Sequence, residues 1–129
     1  MNNFKCTEMD KDYVLQVAET IKDQLVALTP MDVICSWGVD WFVAVEYEGM
    51  PALRFNVSGR LFKGNVIIAY NESDFYGVFL QDYSGVKCVA DEVFFDGLGD
   101  VIDKAVEQGP DKDEYMRFLM KEIFPGNAG

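Results

Sequence analysis

The sequence predicts an α+β fold: an antiparallel sheet of four to six strands in a meander, with an N-terminal helix and two C-terminal helices packed mainly on one face. Three observations predict it. Apolar residues recur at helical spacing near both ends of the chain, they alternate at period two through the middle, and turn-forming residues punctuate that middle stretch about every ten positions. With 129 residues, 50% of them hydrophobic and 14% aromatic, the chain has material for one real core. Residues 1–129 therefore read as a single domain.

The first helix is expected from about Asp10 to Leu28. Val14, Val17, Ala18, Ile21, Leu25 and Leu28 follow the three-and-four rhythm of one apolar face. Asp10 or Thr7 caps its start, and Thr29-Pro30 stops it, because proline disfavours helix at the residue before it. Met31 to Trp37 alternates and reads as a strand. After a turn at Gly38 to Asp40, Trp41, Val43, Val45 and Tyr47 line one face of the next strand. Glu48 to Pro51 reads as a turn. Leu53, Phe55 and Val57 face inward on the strand that follows, and matching the inward sets requires Tyr47 to oppose an odd-numbered residue such as Leu53 or Pro51; the Leu53 pairing sets Glu46 opposite Arg54, a favourable ion pair.

Gly59 to Asn65 is a second turn region, read as a hairpin loop. Val66 to Tyr70 is a continuous apolar run, expected at the centre of the sheet with both faces covered. Phe75 to Tyr83 and Val86 to Val89 complete the meander. Leu98, Val101, Ile102, Ala105 and Val106 then form one face of a helix that Asp96 caps. Asp111 with Glu114 has the spacing of a capping box, opening a last helix to about Phe124.

Composition narrows function. The chain has no histidine, the commonest proton shuttle and metal ligand near neutral pH. Its 22 acidic and 11 basic residues give a formal charge of −11, which repels nucleic acid and anionic membranes. From Asp82 to Glu114 ten acids stand against three lysines, a balance that favours solubility and basic partners. No apolar stretch approaches membrane-spanning length. The opening residues MNNFKCTE lack a basic segment followed by an apolar run, so no signal peptide is expected. Cys6, Cys35 and Cys88 are odd in number and lack CxxC spacing, which excludes a disulfide framework or zinc site and points to reduced core thiols in a cytoplasmic protein.

No motif names a reaction. Asp96, Asp100 and Asp103 recur at i, i+4 and i+7, a spacing that suits a hard cation but also a solvated helix face. Glu46 and Glu48 share a strand face without a partner set across a cleft. Gly59 to Gly64 lacks Walker spacing, and no serine sits in a nucleophile elbow. Aromatic and methionine content is the stronger signal. On the last helix Tyr115, Phe118, Leu119 and Ile123 make one apolar stripe while Met116, Met120 and Phe124 make a second. A helix apolar on two sides must bury both. Trp37 and Trp41 flank a turn and add to the candidate recognition surface.

The segments AETIKDQL, LRFNV and GLGDVIDKAV, within residues 18 to 106, carry a resemblance in element order and apolar placement. By these the chain resembles a small α+β domain common in phages and mobile elements of gut bacteria. The resemblance implies the same fold; that group has no established chemistry, so it implies no functional residues. The expected function is a non-catalytic protein-interaction module without cofactor or metal, acting through Tyr115, Met116, Met120, Phe124, Trp37 and Trp41 on a protein partner or a second copy. The alternatives are an acidic decoy of a nucleic-acid-binding site and a carboxylate- or metal-dependent enzyme.

Overall fold

The computed structural model describes residues 10–71, 73–109 and 112–123. The order is α1 (Lys11–Leu28), α2 (Met31–Ser36), β1 (Asp40–Tyr47), β2 (Met50–Ser58), β3 (Lys63–Tyr70), β4 (Tyr76–Asp82), β5 (Gly85–Val93), a 3-10 turn (Phe95–Gly97), α3 (Leu98–Val106) and α4 (Lys112–Ile123). The five strands form one antiparallel sheet in the order β1-β2-β3-β4-β5, so the expected α+β meander is the fold. Among the described residues no helix is long and apolar enough to cross a membrane.

Helix α1 begins where its capping chemistry predicts: the Asp10 carboxylate accepts from the Asp12 amide at 2.9 Å. Its buried residues, Val14, Ala18, Ile21 and Leu25, form the stripe that lies on β1 and β2. They meet Leu53, Phe55, Val57, Val66, Ile68, Val78 and Leu80 from the sheet, and Leu98, Ile102 and Val106 from α3, in one core. Leu28, expected on the same stripe, is exposed. β3 is the central strand, and Val66, Ile67, Ile68 and Ala69 are all buried.

Three expectations are corrected. Met31–Ser36 is a short helix, where a strand was predicted. The Pro30 carbonyl accepts from the Val33 and Ile34 amides at 3.0 and 3.1 Å and so starts the turn. Ile34 and Trp37, three apart, both point into the core; a run this short satisfies either period.

The second correction is the hairpin register. Tyr47 pairs with Met50 and Ala44 with Leu53, so Glu46 opposes Pro51 and Arg54 opposes Val43. The cause is a two-residue turn in which Glu48 (φ 50°) and Gly49 (φ 79°) both take left-handed backbone, the geometry that tight hairpins demand. The offset from the expected pairing is odd, so the faces exchange. Phe42 now points to the helices, its ring 5.2 Å from that of Phe55, and Val43, Val45 and Tyr47 point away from them.

The third is Trp37, expected at a recognition surface. It is fully buried at 0% exposure, and its indole Nε1 donates to Asp103 Oδ1 at 2.9 Å. Its carbonyl accepts from the Ser58 amide at 2.7 Å. One side chain thus ties α2 to α3 while its backbone holds the end of β2.

Arg60, in the loop after β2, holds the C-terminal segment. Its amide donates to Glu107 Oε1 at 2.8 Å, and its guanidinium donates to the carbonyls of Glu107 at 3.0 Å and Gln108 at 2.9 Å. The same guanidinium lies over Tyr115 and Phe118 of α4, 5.4 and 5.1 Å from their ring centroids. Tyr115 donates its hydroxyl to Glu107 Oε2 at 3.3 Å.

Selective quenching will read the two tryptophans. Trp41→Phe should leave blue-shifted emission resistant to iodide, from Trp37, whereas Trp37 emission quenched like free indole would place it at the surface. Asp103 carries a pH signature. Burial, the largest influence, raises its pKa above the ordinary aspartate value despite the opposing Trp37 hydrogen bond. The folded state therefore keeps this proton where the unfolded chain has lost it. Stability falls as pH rises from the ordinary value through the raised one, then levels off. Asp103→Asn, which keeps an acceptor for Trp37, should flatten that slope in urea titrations. Asp103→Ala should cost about 1–3 kcal/mol at neutral pH by orphaning the indole N–H. Arg60→Lys cannot make two carbonyl bonds and stack on both rings. It should raise amide exchange across residues 112–123 by about tenfold or more while α1 and the sheet stay protected.

Candidate protein-interaction surface

Helices α1, α2 and α3 cover one face of the sheet, and among the described residues no helix packs on the centre of the other face. Register and pleat place Val43, Val45 and Tyr47 of β1 on that uncovered face, with Met50, Ala52, Arg54 and Asn56 of β2. Asn65, Ile67 and Ala69 of β3, Gly77, Phe79 and Gln81 of β4, and Val86 and Cys88 of β5 share it, and exposed Asp40, opposite Asn56, and Lys63, opposite Ser58, end it.

Ala52, Ala69 and Gly77 stand in one cross-strand row, a trough of small residues. Tyr47 reaches over it from β1 and Phe79 from β4, and their rings meet at 4.8 Å between centroids, tilted by 48°. A Cβ on Gly77 would lie 3.0 Å from the Phe79 ring, so glycine is what lets the ring settle there. With Ile67, the two alanines are buried beneath these rings and beside Val45 and Met50. This is how the centre of the sheet is covered on its second side. Burial, with Glu48 and Cys88 nearby, raises the Tyr47 pKa, so the ring stays neutral.

One end of the face is polar. Asn56 Nδ2 donates to Asn65 Oδ1 at 3.3 Å, and Asn65 Nδ2 donates to Gln81 Oε1 at 3.2 Å, an amide ladder across three strands. Arg54 lies half-buried between Val43 and Ile67. No residue of its apolar centre carries a carboxylate, in a chain with 22 of them. Carboxylates stand at its edges instead: Asp40 and Glu48 at the two ends of β1, and Asp91 and Glu92 on edge strand β5.

The residues expected to form the recognition surface are scattered. Trp41 is 75% exposed at a β-bulge opening β1, with φ 57°. Met116 and Met120 are 53% and 51% exposed on α4. Tyr115 is half-buried against Arg60, and Trp37 is core. Phe124 lies outside the described residues, as do Asp111 of the expected capping box, Thr7 and Cys6.

The acidic helix face does not converge. Asp96 sits in the 3-10 turn, and the N-cap of α3 is Gly97 without a side-chain bond, so Asp96 does not cap the helix. Asp100 pairs with Lys104 at 3.2 Å and Asp103 is taken by Trp37. Among the described residues no three or more Cys, Asp or Glu groups are placed to hold a metal ion. Cys35 and Cys88, expected as core thiols, are both free and exposed. Cys35 points away from the core because α2 is a helix, and Cys88 lies on an edge strand of the uncovered face.

Arg60 and the uncovered face were missed from sequence. Arg60 gave no signal, since its partners lie 47 or more positions away. The face had one, the Glu48-Gly49 pair, whose tight-turn chemistry sets its register. Comparison with known proteins finds no matching family model, no matching curated protein and no matching solved structure.

Proposed function

We propose that this protein is a non-catalytic interaction module whose docking surface is the uncovered sheet face, and that its partner is a basic protein. The observation that carries this is the charge pattern of that face: an apolar centre without a carboxylate, edged by Asp40, Glu48, Asp91 and Glu92 against a single exposed base, Lys63. Such a centre gains from desolvation, and an acidic rim orients a partner whose apolar patch is ringed by lysine or arginine. The net charge of −11 steers the same partner from a distance. A second copy would bring acidic rim against acidic rim, which disfavours a homodimer here.

Size is adequate. Five strands at about 4.8 Å spacing and some seven residues at about 3.3 Å rise give roughly 500 Å² per side. Counting both partners, roughly 1,000 Å² is the lower bound of a specific interface. Trp41, exposed at the corner of β1, extends the surface as an aromatic anchor, and Met116 and Met120 offer a second apolar patch on α4. Exposed free thiols at Cys35 and Cys88 suit a reducing, cytoplasmic setting. Chemistry on a nucleic acid or at a membrane is no part of this function.

The two thiols make a native footprint. Cys88 lies on the proposed face beside Phe79, and Cys35 lies on α2 across the molecule. Adding extract of the source cell should lower iodoacetamide labelling of Cys88 severalfold relative to Cys35, and the protein cross-linked there should be basic. Rising salt should partly restore labelling. Equal labelling of both thiols would exclude the sheet face. Protection that appears in purified protein as concentration rises would assign the face to a second copy and overturn the basic partner.

A further inference from the structure

A separate cleft of about 470 Å³ opens between α1 and the β3–β4 end of the sheet. Its size is that of a small-molecule site. Four aromatic rings line it: Tyr13 from α1, Tyr70 and Tyr76 from β3 and β4, and Phe95 from the turn before α3. Tyr70 and Tyr76 stand 5.6 Å apart between centroids, tilted by 55°. The rest of the described wall is Gln16, Val17, Thr20 and Gln24 along α1, with Asp74 its charged member.

Two hydroxyls are already committed in ways that hold the rings in place. Tyr76 donates to Gln24 Oε1 at 2.7 Å, and Tyr70 donates to the Asp74 carboxylate. That hydrogen bond is the main reason the Tyr70 pKa is pushed up to about 12, so the ring stays neutral at any physiological pH. Asp74 itself sits at φ 67°, in the left-handed region, which turns its carboxylate back toward Tyr70. A second cleft of about 720 Å³ shares Tyr13 and Tyr70 and adds Glu48. Among the described residues no lysine or arginine lines either cleft.

We propose that the Tyr13–Tyr70–Tyr76–Phe95 cleft binds an organic cation, an alkylammonium head group seated among the four rings beside the Asp74 carboxylate. Neutral aromatic faces attract a cation through their quadrupoles, most strongly one whose charge is spread over methyl groups and costs little to desolvate. The carboxylate supplies the counter-charge, and the acidic surface concentrates cations at the mouth. An anion would meet Asp74 and Glu48 with no compensating base. The proposal does not depend on the sheet face, and its failure would leave the Cys88 footprint unchanged.

Choline and its neutral isostere 3,3-dimethyl-1-butanol separate charge from shape. In NMR titrations of the whole chain, choline should give saturable shifts of the Tyr13, Tyr70, Tyr76 and Phe95 ring resonances. The isostere should bind about tenfold more weakly or worse. Asp74→Asn, which tolerates left-handed backbone, should weaken choline severalfold and leave the isostere unchanged. Tyr13→Ala, on the exposed side of α1, should weaken choline with α1 still folded by circular dichroism. Tighter binding by a peptide bearing trimethyl-lysine would identify the cation as a protein side chain, and tighter binding by choline a free metabolite; either upholds the site. Equal affinity for choline and the isostere would overturn the cation, and no saturable shift with choline or the peptide would overturn the site.

Discussion

Everything above the level of single helices depends on two residues, Glu48 and Gly49. Their left-handed backbone closes the first hairpin in the shortest way, pairing Tyr47 with Met50. Because side chains alternate along a strand, that one pairing decides which half of β1 meets α1 and which half turns away. Phe42 and Ala44 enter the helix-facing core, and Val43, Val45 and Tyr47 are left on the far side. A register shifted by an odd number of residues would put three large apolar side chains under α1, where Phe42 and Ala44 now fit. It would also empty the cover over Ala52 and Ala69. The glycine sits at φ 79° without strain, whereas glutamate at φ 50° is held there by the hairpin it closes.

The two faces of the sheet are built by different means. The helix-facing side is an ordinary layered core, with amphipathic α1 and α3 supplying the second layer. The far side reaches burial at its centre without a second layer. A row of minimal side chains, Ala52, Ala69 and Gly77, lets Tyr47 and Phe79 lie down and meet over the middle strands. Such cover is thin: it removes the alanines and Ile67 from water but leaves the outer faces of the rings, with Val43 and Val86, in contact with it. Sheets solvated on one side ordinarily present polar residues there. This one does so along the Asn56–Asn65–Gln81 ladder, at Arg54 and at its Asp40 and Lys63 end, and its centre is an apolar patch in a strongly acidic protein.

Sequence reasoning reached the elements whose signals are local. Asp10 as cap, the α1 stripe, the proline stop after Thr29 and the apolar run of β3 each depend on neighbours within a few positions. It failed where the deciding contact is distant or the window too short. Met31 to Trp37 alternates well enough to read as a strand, and only the burial of Ile34 and Trp37 against α3 and the sheet selects the helix. The indole bond to Asp103 spans 66 positions and the Arg60 contacts span 47 and 48, and no periodicity announces such pairs. The surface suffered most. Aromatic richness was legible, but which rings end up outside follows from hairpin parity, so Trp37 and Trp41, four positions apart, have opposite fates.

Trp37 and Arg60 also show how the end of the chain is organised. Each is a large side chain with a polar tip, and each uses that tip to hold a helix terminus: Trp37 reaches Asp103 in the last turns of α3, and Arg60 caps the carbonyls of Glu107 and Gln108 just beyond it. A cation donating to the last carbonyls of a helix satisfies groups that have no partner within it. The Arg60 guanidinium then serves as the floor for Tyr115 and Phe118. The polar and ring contacts described for helix α4 converge on Arg60, including its pairing with Glu114 at 3.9 Å, and on Glu107, whereas α1 is joined through a whole apolar stripe. Local stability follows the number of buried contacts that must open together. By that measure α4 should open before α1, and none of the residues placed on the sheet face or in the aromatic cleft belongs to it.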